Sequence, residues 1–472
     1  MLHDLNSDAS FDGKPFDVCV VGAGPAGITT ALQLARKGKR VALCEAGGFD
    51  LNTDSQDCYK GTVVGDPYFQ LNAARLRVFG GTSGHWTGFC HNLDEIDFLP
   101  KDRISPMAHW PIRKRDLDPY LPGACELVEI KPPPPSTPMG SGQGIQQIHF
   151  SYSPPTRFGE KYRKPIVDSQ AITLFLNANL VDVKAAGGKV SSCTFRSYTG
   201  KTVTIPAAKF VFAMGGIENS RQLLWHNAKT GGALYPRDLP VGRYWIEHPH
   251  FTLGGALVDF RPPERLFYSL TPAKQMQLGV LNCGLRLEAL GPSETKNMVK
   301  ELVCVAPALG EWATELLGKK MVCGIRLRAA WEQEPRYENR VSLSATAKDR
   351  FGIPLTTLYW RKGALDKKTI QANVTQFNSW LMARKFGRLR LDPWVLGTAP
   401  YPTNDELAGF HHMGGTRMSD SPKTGVVDVN CRVHGSQNLY VAGSSVFATG
   451  GQANPTLSIV QLALRLGDHL AA

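Results

Sequence analysis

Three glycines near the start of the sequence are spaced as in a loop that binds the phosphates of a dinucleotide. They form the pattern Gly22-Ala-Gly24-Pro-Ala-Gly27, and the acidic residue Glu45 follows 18 residues after Gly27. In such a loop the first glycine makes a tight turn, the second lets the backbone approach the pyrophosphate, and the third lets a helix pack closely on a strand. An acid at this distance accepts hydrogen bonds from the adenosine ribose. These four residues therefore predict a dinucleotide site.

The segments around the glycines follow the order that such a site requires. Phe16–Gly22 is a β-rich run typical of a buried parallel strand, Ile28–Lys37 has a helical pattern, and Arg40–Glu45 predicts a second strand. The free N–H groups and partial positive charge at the start of the helix would face the phosphates. This order is much more specific than the glycines alone, but it does not distinguish FAD from NAD.

Motifs in the rest of the chain resemble those of the glucose–methanol–choline (GMC) oxidoreductase family. The matching segments cover nearly the whole chain: Arg77–Trp86, Ala213–Leu224, Val241–Pro249, Glu338–Leu343, His411–Met418, Asn438–Ser445 and Gly451–Leu457. Within the family, the short chain and the Thr82–Trp86 loop are most similar to pyranose 2-oxidase and to bacterial sugar or glycoside dehydrogenases. The resemblance implies an enzyme that binds FAD and oxidises an alcohol, and it makes a purely NAD-dependent enzyme the weaker alternative.

The resemblance also implies which residues form the site. His411 corresponds to the catalytic histidine because it lies seven residues before Met418, and Asn454 corresponds to the second catalytic residue. Besides the glycine loop and Glu45, the residues implied in FAD binding are Gly81, Thr82, Ser83, His85, Trp86, Val181, Ala213, Pro455 and Thr456. Val181 falls where the family holds the adenine end of the cofactor through the backbone.

The histidine of the second flavin loop, His85, is a candidate for covalent attachment of the cofactor. The corresponding histidine of pyranose 2-oxidase carries the flavin covalently, whereas similar relatives bind it non-covalently. Here Gly84 stands where pyranose 2-oxidase has a threonine. Both modes of attachment stay open on the sequence.

The residue types at the two catalytic positions suit the oxidation of an alcohol by a flavin. That reaction needs a base near the hydroxyl, a group that aims the C–H bond at flavin N5, and positive potential near N1. The His411 imidazole titrates near neutral pH and can accept the hydroxyl proton as hydride departs. The Asn454 amide cannot act as a base, but it can orient the oxygen. A helix predicted over Pro455–Leu470 would direct its positive N-terminus at the flavin.

The other histidines are assigned structural roles. His412 is adjacent to His411, and neighbouring residues of an extended segment point in opposite directions, so only one of them can face the flavin. The family spacing favours His411. We expect His248, before Pro249, to be a structural residue near the flavin. Three more histidines lack partners at metal-ligand spacing, and no metal site is predicted: His91, His109 and His434.

The predicted fold class is α/β, with a Rossmann-like FAD-binding domain and an inserted substrate domain built on a mixed or antiparallel sheet. The FAD domain is expected to be discontinuous, over residues 11–110, 165–250 and 405–472, with residues 111–164 and 251–404 forming the substrate domain. The middle segment predicts four strands: Thr173–Leu176, Val181–Lys184, Cys193–Tyr198 and Thr202–Ile205. The proline-rich stretch Lys131–Pro138 predicts a lid or an inert surface arm. Met1–Pro15 is polar and predicts a loose leader.

Composition excludes several classes of protein. The formal net charge of +12 over 472 residues is modest, and no basic cluster with aromatic residues indicates nucleic-acid binding. No apolar run is long enough to cross a membrane, and no signal-peptide pattern opens the chain, so a cytoplasmic location is expected. The ten cysteines are scattered singly, which argues against zinc and iron–sulfur sites.

These observations favour FAD-dependent oxidation of a secondary hydroxyl on a sugar or glycoside. Two alternatives stay open: oxidation of an alcohol during natural-product tailoring, and a non-redox lyase on the same fold, in which FAD is structural. The expected partners are a small alcohol or sugar and an electron acceptor, either O2 or a quinone or redox protein. The sequence identifies neither the substrate nor the acceptor.

Overall fold

A computed structural model describes residues 1–8, 10–140, 144–289, 325–403 and 409–472. The strands within these ranges are β1 (Leu2–Asp4), β2 (Phe16–Val21), β3 (Val41–Cys44), β4 (Gly61–Gly65), β5 (Phe89–Cys90), β6 (Thr137–Pro138), β7 (Ile145–His149), β8 (Ser151–Tyr152), β9 (Ile172–Leu176), β10 (Asn179–Ala186), β11 (Lys189–Arg196), β12 (Thr202–Phe212), β13 (His250–Val258), β14 (Leu266–Leu270), β15 (Cys283–Ala289), β16 (Ile325–Trp331), β17 (Arg340–Lys348), β18 (Pro354–Trp360), β19 (Gly387–Leu391) and β20 (Leu439–Val441).

Helices connect and cover these strands. Within the described ranges they are α1 (Pro25–Arg36), α2 (Thr53–Gln56), α3 (Glu95–Phe98), α4 (Leu121–Leu127), α5 (Phe158–Lys161), α6 (Arg163–Val167), α7 (Gly215–Lys229), α8 (Pro272–Leu278), α9 (Ala364–Ala383), α10 (Pro393–Leu396) and α11 (Pro455–Ala471). Among the described residues, no helix is both long enough and apolar enough to cross a membrane. The predicted C-terminal helix is confirmed, and α1 begins at Pro25, directly after the glycine turn, because proline suits the first turn of a helix.

The first sheet has the strand order β1-β9-β3-β2-β12-β11-β10, with β20 also paired to β12. Its central strands are parallel and carry unbroken apolar runs, such as Val18–Val21, because both faces are buried. The predicted strand Thr202–Ile205 is the beginning of the longer β12. The first part of β12 pairs antiparallel with β11, and its last part runs parallel between β2 and β20.

The segment Met1–Pro15, predicted to be a loose leader, contains an edge strand of this sheet. Leu2, in β1, pairs in parallel with Leu174 of β9, and the backbone N–H of Leu5 donates to the Leu176 carbonyl over 3.1 Å. The side chain of Leu5 is fully buried. The prediction of a loose leader was therefore wrong. A strand of three residues is held by backbone hydrogen bonds and is too short to show an alternating pattern in the sequence.

The second sheet is antiparallel and has the order β19-β13-β16-β15-β14-β7-β6. One face packs on α9 through an apolar core that includes Leu285, Trp331, Phe377 and Trp380. A Rossmann-like sheet and a separate antiparallel sheet confirm the predicted fold class. A third sheet, β17-β18-β4, encloses a small core around Trp245.

The packing divides residues 111–164 differently from the sequence-based boundary. Apolar side chains of residues 112–128 and 158–166 join the core of the first sheet, whereas only β6 and β7 join the second sheet. The reason is that α4 packs on α11, which belongs to the first sheet's layer. The proline-rich arm ends in the edge strand β6. The predicted boundary at residue 405, together with residues 141–143 after the arm, lies outside the described residues.

A buried cluster of charges supports the loop that precedes α11. The Lys101 Nζ lies 3.2 Å from Glu332 Oε1, and both side chains are almost completely buried. The same carboxylate accepts from the Thr449 hydroxyl, and its other oxygen accepts from the Asn282 N–H over 3.0 Å. Since a buried carboxylate is stable only when it is paired and hydrogen-bonded, this cluster fixes the start of the chain segment that reaches Asn454.

Candidate active site

One cavity of about 470 Å³ runs from the β2–α1 turn to the C-terminal segments. It brings together most of the residues that the sequence predicts for the site. The predicted residues that line it are Gly22, Gly24, Glu45, Gly81, Thr82, Ser83, His85, Trp86, Ala213, His411, Asn454, Pro455 and Thr456. Gly27 and Val181 do not line it, and His412, predicted to point away, does.

The glycine loop has the geometry expected of a phosphate cradle. Gly22 has φ +103°, and a Cβ there would lie 2.7 Å from the Ala213 carbonyl oxygen. A Cβ on Gly27 would lie only 1.9 Å from the Gly22 carbonyl oxygen, which explains why Gly27 supports the loop from behind rather than lining the cavity. No side chain caps the N-terminus of α1, so its first N–H groups are available to an anion.

The carboxylate of Glu45 is buried at the edge of the same loop. Its two oxygens accept from the backbone N–H groups of Ala23 and Gly47, each over 2.8 Å. Burial raises the pKa of Glu45, and these backbone donors oppose the rise. A carboxylate has about four acceptor sites, so the group retains capacity for ribose hydroxyls while it fixes the loop.

Val181, predicted at the adenine end, lies outside the cavity wall. Its carbonyl accepts from the Lys229 Nζ over 3.2 Å, on the outer side of β10. Ala178 and Leu180 line the cavity instead. Adjacent strand residues face opposite sides, and a β-bulge between Leu180 and Asp182 shifts the register at this point, which sequence patterning could not reveal.

The second predicted loop meets the glycine loop across the cavity. A Cβ on Gly81, which has φ +57°, would lie 3.0 Å from the Gly24 Cα, so the two backbones pass close together. The Ser83 hydroxyl donates to the Gly80 carbonyl over 2.7 Å, and the Trp86 indole donates to the Thr156 carbonyl over 2.9 Å. These bonds hold the loop rigid on both sides of His85.

His85 itself lines the cavity and is otherwise largely exposed. Its ring stacks on Phe410, with 6.1 Å between the ring centroids. Partial burial, followed by the nearby Arg157 guanidinium, lowers the pKa of His85. The imidazole is therefore neutral at physiological pH.

Charged side chains beside the cavity were missed by the sequence analysis. Arg75, Arg77 and Glu218 line the cavity and are buried. Arg77 donates to the Asn179 side-chain oxygen over 2.6 Å, and the guanidinium of Arg75 lies 4.1 Å from the ring centroid of Tyr59. Arginines usually lie on protein surfaces, so nothing in the sequence indicated their burial.

At the far end of the cavity, His411 and His412 point in different directions. The His411 Nδ1 lies 2.9 Å from the Nδ1 of His248. The His412 ring instead packs between Trp245 and Tyr68, with centroid distances of 5.8 and 6.0 Å. The two neighbouring rings therefore have different partners, although both line the cavity, and His248 is the partner that the sequence did not identify.

A single carboxylate, that of Glu247, holds this pair in place. One oxygen of Glu247 accepts from the backbone N–H of His248 over 2.8 Å and from that of His411 over 2.7 Å. The other oxygen accepts from the Tyr68 hydroxyl. The sequence spacing between residues 68, 247 and 411 gave no indication of this contact.

Burial keeps the imidazoles at this end of the cavity uncharged. It lowers the pKa of His248 and of His250 to about 4 and that of His412 to about 3. The pKa of His411 is lowered well below its usual value, first by burial and then by the neighbouring histidines. Within the described ranges, no group of three or more His, Cys, Asp or Glu side chains is arranged to hold a metal.

Asn454 lies directly before Pro455 at the start of α11. Its side chain makes no capping bond to the helix, so the first N–H groups of this helix of 17 residues are open to the cavity. A helix N-terminus carries a partial positive charge. This end of the cavity therefore combines a neutral imidazole, an amide and positive potential.

Sequence comparison identifies the family to which this arrangement belongs. A family described as "GMC oxidoreductase" matches residues 335–463, which include both His411 and Asn454, and one described as "FAD dependent oxidoreductase" matches residues 17–60, which include the glycine loop. The chain belongs to the GMC oxidoreductase family. The predicted family and its FAD cofactor are confirmed.

Individual relatives of this GMC oxidoreductase span nearly the whole chain. It is 23% identical to the fructose dehydrogenase large subunit of Gluconobacter japonicus, over 96% of this chain and 97% of that protein. It is 22% identical to 2-methyl-1,2-propanediol dehydrogenase of Mycolicibacterium austroafricanum, over 96% and 95%. The crystal structure of pyridoxine 4-oxidase from Mesorbium loti shares the fold, with a TM-score of 0.57 and 15% identity over 96% of this chain and 99% of that one.

The protein is therefore an FAD-dependent oxidoreductase that acts on an alcohol, and the lyase alternative has no support from these relatives. The structure independently fits the cofactor. The close approach of Gly24 and Gly81 leaves a cradle that side chains would fill, and the uncapped helix of the glycine loop faces it. Glu45 lies in the wall of the cavity beside this cradle.

Replacing Gly27 by alanine should abolish flavin binding. The added Cβ would overlap the Gly22 carbonyl oxygen, and the backbone on both sides cannot yield without deforming the cradle. We expect the purified Gly27→Ala protein to retain less than about a tenth of the wild-type absorbance near 450 nm per protein. Gly48→Ala is the matched control, because its nearest neighbour would be 3.8 Å away. Full flavin content in Gly27→Ala would contradict the geometry.

Proposed function

We propose that this GMC enzyme oxidises a secondary hydroxyl of a sugar or glycoside, with His411 as the base and Asn454 as the residue that positions the oxygen. The observation that carries the proposal is the contact of 2.9 Å between His411 and His248 at the end of the cavity where α11 begins. Fructose dehydrogenase, similar over nearly the full length, supports a sugar substrate.

The contact between the two histidines occupies Nδ1 of His411 and leaves Nε2 as its nitrogen for the substrate. Two Nδ1 atoms at 2.9 Å share one proton, so one ring donates and the other accepts. If His411 donates from Nδ1, its Nε2 is free to take the proton of the alcohol. His248 then accepts at Nδ1 and carries its own proton on Nε2, which faces the backbone of Gly450. His248 thus acts as a positioning residue.

The other groups at this end act on the oxygen and on charge. The Asn454 amide donates to the oxygen that loses its proton, and the open N-terminus of α11 stabilises negative charge nearby. When bound, FAD accepts the hydride that leaves the carbon. Because burial keeps His411 uncharged, the base is ready without prior loss of a proton.

The remaining site residues are proposed to hold FAD. Gly22 and Gly24 would receive the phosphates, Glu45 the ribose, and the loop Gly81–Trp86 the flavin ring. Ala213, Pro455 and Thr456 would complete the wall, and Leu180 would replace Val181 at the adenine end. The proposed electron acceptor is O2 or a quinone or redox protein, and the proposed location is the cytoplasm.

The first test of this function is anaerobic bleaching of the flavin by alcohols. Mixing the holoenzyme with a panel of hexoses and glycosides should bleach the band near ~450 nm, and a ketone should appear in the product. His411→Ala should bleach about 100- to 10,000-fold more slowly with its flavin retained, because the base is lost. His412→Ala should lose much less. Equal losses, or a larger loss in His412→Ala, would overturn the assignment.

The pH dependence gives a second readout of the same base. Burial holds the pKa of His411 well below its usual value, and the neutral form is the active one. Activity is therefore lost only as the pH falls through this lowered pKa, and kcat/KM should stay level through the usual pKa range of a histidine. An acid limb centred near the usual histidine pKa would contradict a buried base.

Replacing His248 separates positioning from simple packing. His248→Phe removes the Nδ1 acceptor, so the His411 ring is no longer held in one tautomer, and we expect kcat to fall about 100-fold with KM and flavin content unchanged. His248→Asn retains an acceptor near the Nδ1 position and should recover most of kcat. Equal kcat values for the two variants, or a loss seen mainly in KM, would rule out this role.

The attachment of FAD is tested by acid precipitation. Because Gly84 stands in the loop where pyranose 2-oxidase has a threonine, we propose non-covalent binding, so the yellow colour should pass into the supernatant. A yellow pellet that becomes colourless in His85→Ala would show a covalent bond at this residue. The flavin bands near ~370 and ~450 nm identify the cofactor in either fraction.

A further inference from the structure

Three arginines of β15 and β16 lie side by side on the face of the second sheet that is turned away from α9. Leu285 and Leu327 point into the core against α9, and side chains alternate along a strand, so Arg286, Arg326 and Arg328 project from the opposite face. Register places Arg286 directly opposite Arg328 on neighbouring strands. We call these three residues the arginine face.

The arginine face carries more positive than negative charge. Glu288 is the one carboxylate paired with it among the described residues, at 3.1 Å from Arg328, 3.8 Å from Arg326 and 3.9 Å from Arg286. Burial, Arg326 and Arg286 lower the pKa of Arg328, and Glu288 alone opposes them. Among the described residues, one carboxylate therefore faces three guanidinium groups, and like charges side by side on a sheet are destabilising. A binding site for an anion accounts for this arrangement.

His250 is near both the arginine face and the His248–His411 pair. His250 lies on the same face, with Ala330 opposite it, two residues along β16 from Arg328. His250 is close enough to Arg328, Arg286 and His248 for each to lower its pKa. Through His250, the arginine face is therefore connected to the His248–His411 pair.

A second connection runs along the flavin loop. The guanidinium of Arg286 lies 5.3 Å from the ring centroid of Phe89, and the residues directly before Phe89, Thr87 and Gly88, line the cavity. The anion site and the flavin site are thus joined by contiguous residues of one loop.

Gln452 supplies a polar group between the arginine face and the flavin site. Its side chain is 4% exposed, and neither its amide nitrogen nor its amide oxygen has a hydrogen-bond partner among the residues that the structure describes. The amide oxygen lies 3.5 Å from the position that a Cβ on Gly284 would occupy, and Gly284 precedes Leu285 in β15. Gln452 precedes Asn454 by two residues on the same loop. A buried amide without partners is costly, and hydroxyl groups of a ligand would satisfy it.

We infer that the alcohol substrate carries a carboxylate or phosphate group, which Arg286 and Arg328 bind while Gln452 hydrogen-bonds an intervening hydroxyl. The inference rests on the proposed function, since it places the reacting hydroxyl at His411 and the anion on the arginine face. Guanidinium groups suit carboxylate and phosphate oxygens because they donate two parallel hydrogen bonds. The substrate class is thus an acidic sugar or a comparable anionic polyol.

The first experiment compares matched substrates on the wild-type holoenzyme. Anaerobic bleaching is measured with neutral hexoses, with the corresponding uronates and with the corresponding hexose 6-phosphates. We expect kcat/KM at least about tenfold higher for one acidic series, and a decrease of this preference with added salt, as for an exposed ion pair. The uronate and phosphate arms identify which anion is preferred.

The outcomes separate the two proposals. If neutral hexoses bleach the flavin as well as both acidic series do, the inference is overturned and the proposed function stands. If no sugar of any series bleaches it, the proposed function fails, and the inference falls with it.

Variants then locate the anion on the sheet. Arg328→Met and Arg286→Met should each raise KM for the preferred acidic substrate about tenfold or more, with kcat and the KM of neutral sugars little changed. Arg196→Met on β11 of the first sheet is the control, because its side chain is exposed and lies outside the second sheet. Arg328→Lys keeps the positive charge and should recover part of the loss. This variant keeps the test valid if the methionine variants fold poorly. Equal effects on acidic and neutral substrates would rule out anion binding here.

Discussion

The carboxylate of Glu247 joins three parts of the chain that are far apart in sequence, and the catalytic end of the cavity depends on it. It accepts from the backbone at His248 and at His411 and from the Tyr68 hydroxyl. Hydrogen bonds to a buried carboxylate are strong because the charge is not screened by water. Without this group, the two imidazoles would have no common support, and their contact through Nδ1 would not be fixed.

The cavity lies where two differently built layers meet. The parallel sheet supplies the glycine loop and the uncapped end of α1, which are suited to phosphate. The antiparallel sheet supplies His250 and the arginine face, which lie beside the reacting end. The buried Lys101–Glu332 pair ties the second sheet to the loop before α11 through Thr449. The residues proposed to hold cofactor and substrate thus lie on separate elements that are linked through buried polar contacts.

The parts of the site that depend on local rules could be predicted from the sequence. Gly22, Gly24 and Gly27 are required by the turn itself, and Pro455 marks the start of α11, so both were placed correctly within a residue. The contact between His411 and His248 depends on tertiary packing and had no local signal. The role of Val181 stays a prediction, because Ala178 and Leu180 line the cavity beside it and a bulge changes the register there.

The same distinction applies to the arginine face. Arg326 and Arg328 show the alternation of a strand, but the sequence cannot tell which face of a sheet is covered by a helix. That became clear only once the apolar residues between them were seen to pack on α9. In the same way, the buried positions of Arg75 and Arg77 follow from long-range partners such as Tyr59 and Asn179.

The first sheet is assembled from strands near both ends of the described chain. β20, at Leu439–Val441, pairs with the centre of the sheet, and the Gln33 amide of α1 donates to Asp468 of α11 over 2.7 Å, across a sequence separation of 435 residues. A ribosome making this protein therefore releases β2 and α1 long before β20 and α11 exist. Such late closure leaves apolar surface of the first sheet uncovered during synthesis, and the cavity wall is completed only when residues 454–456 have emerged.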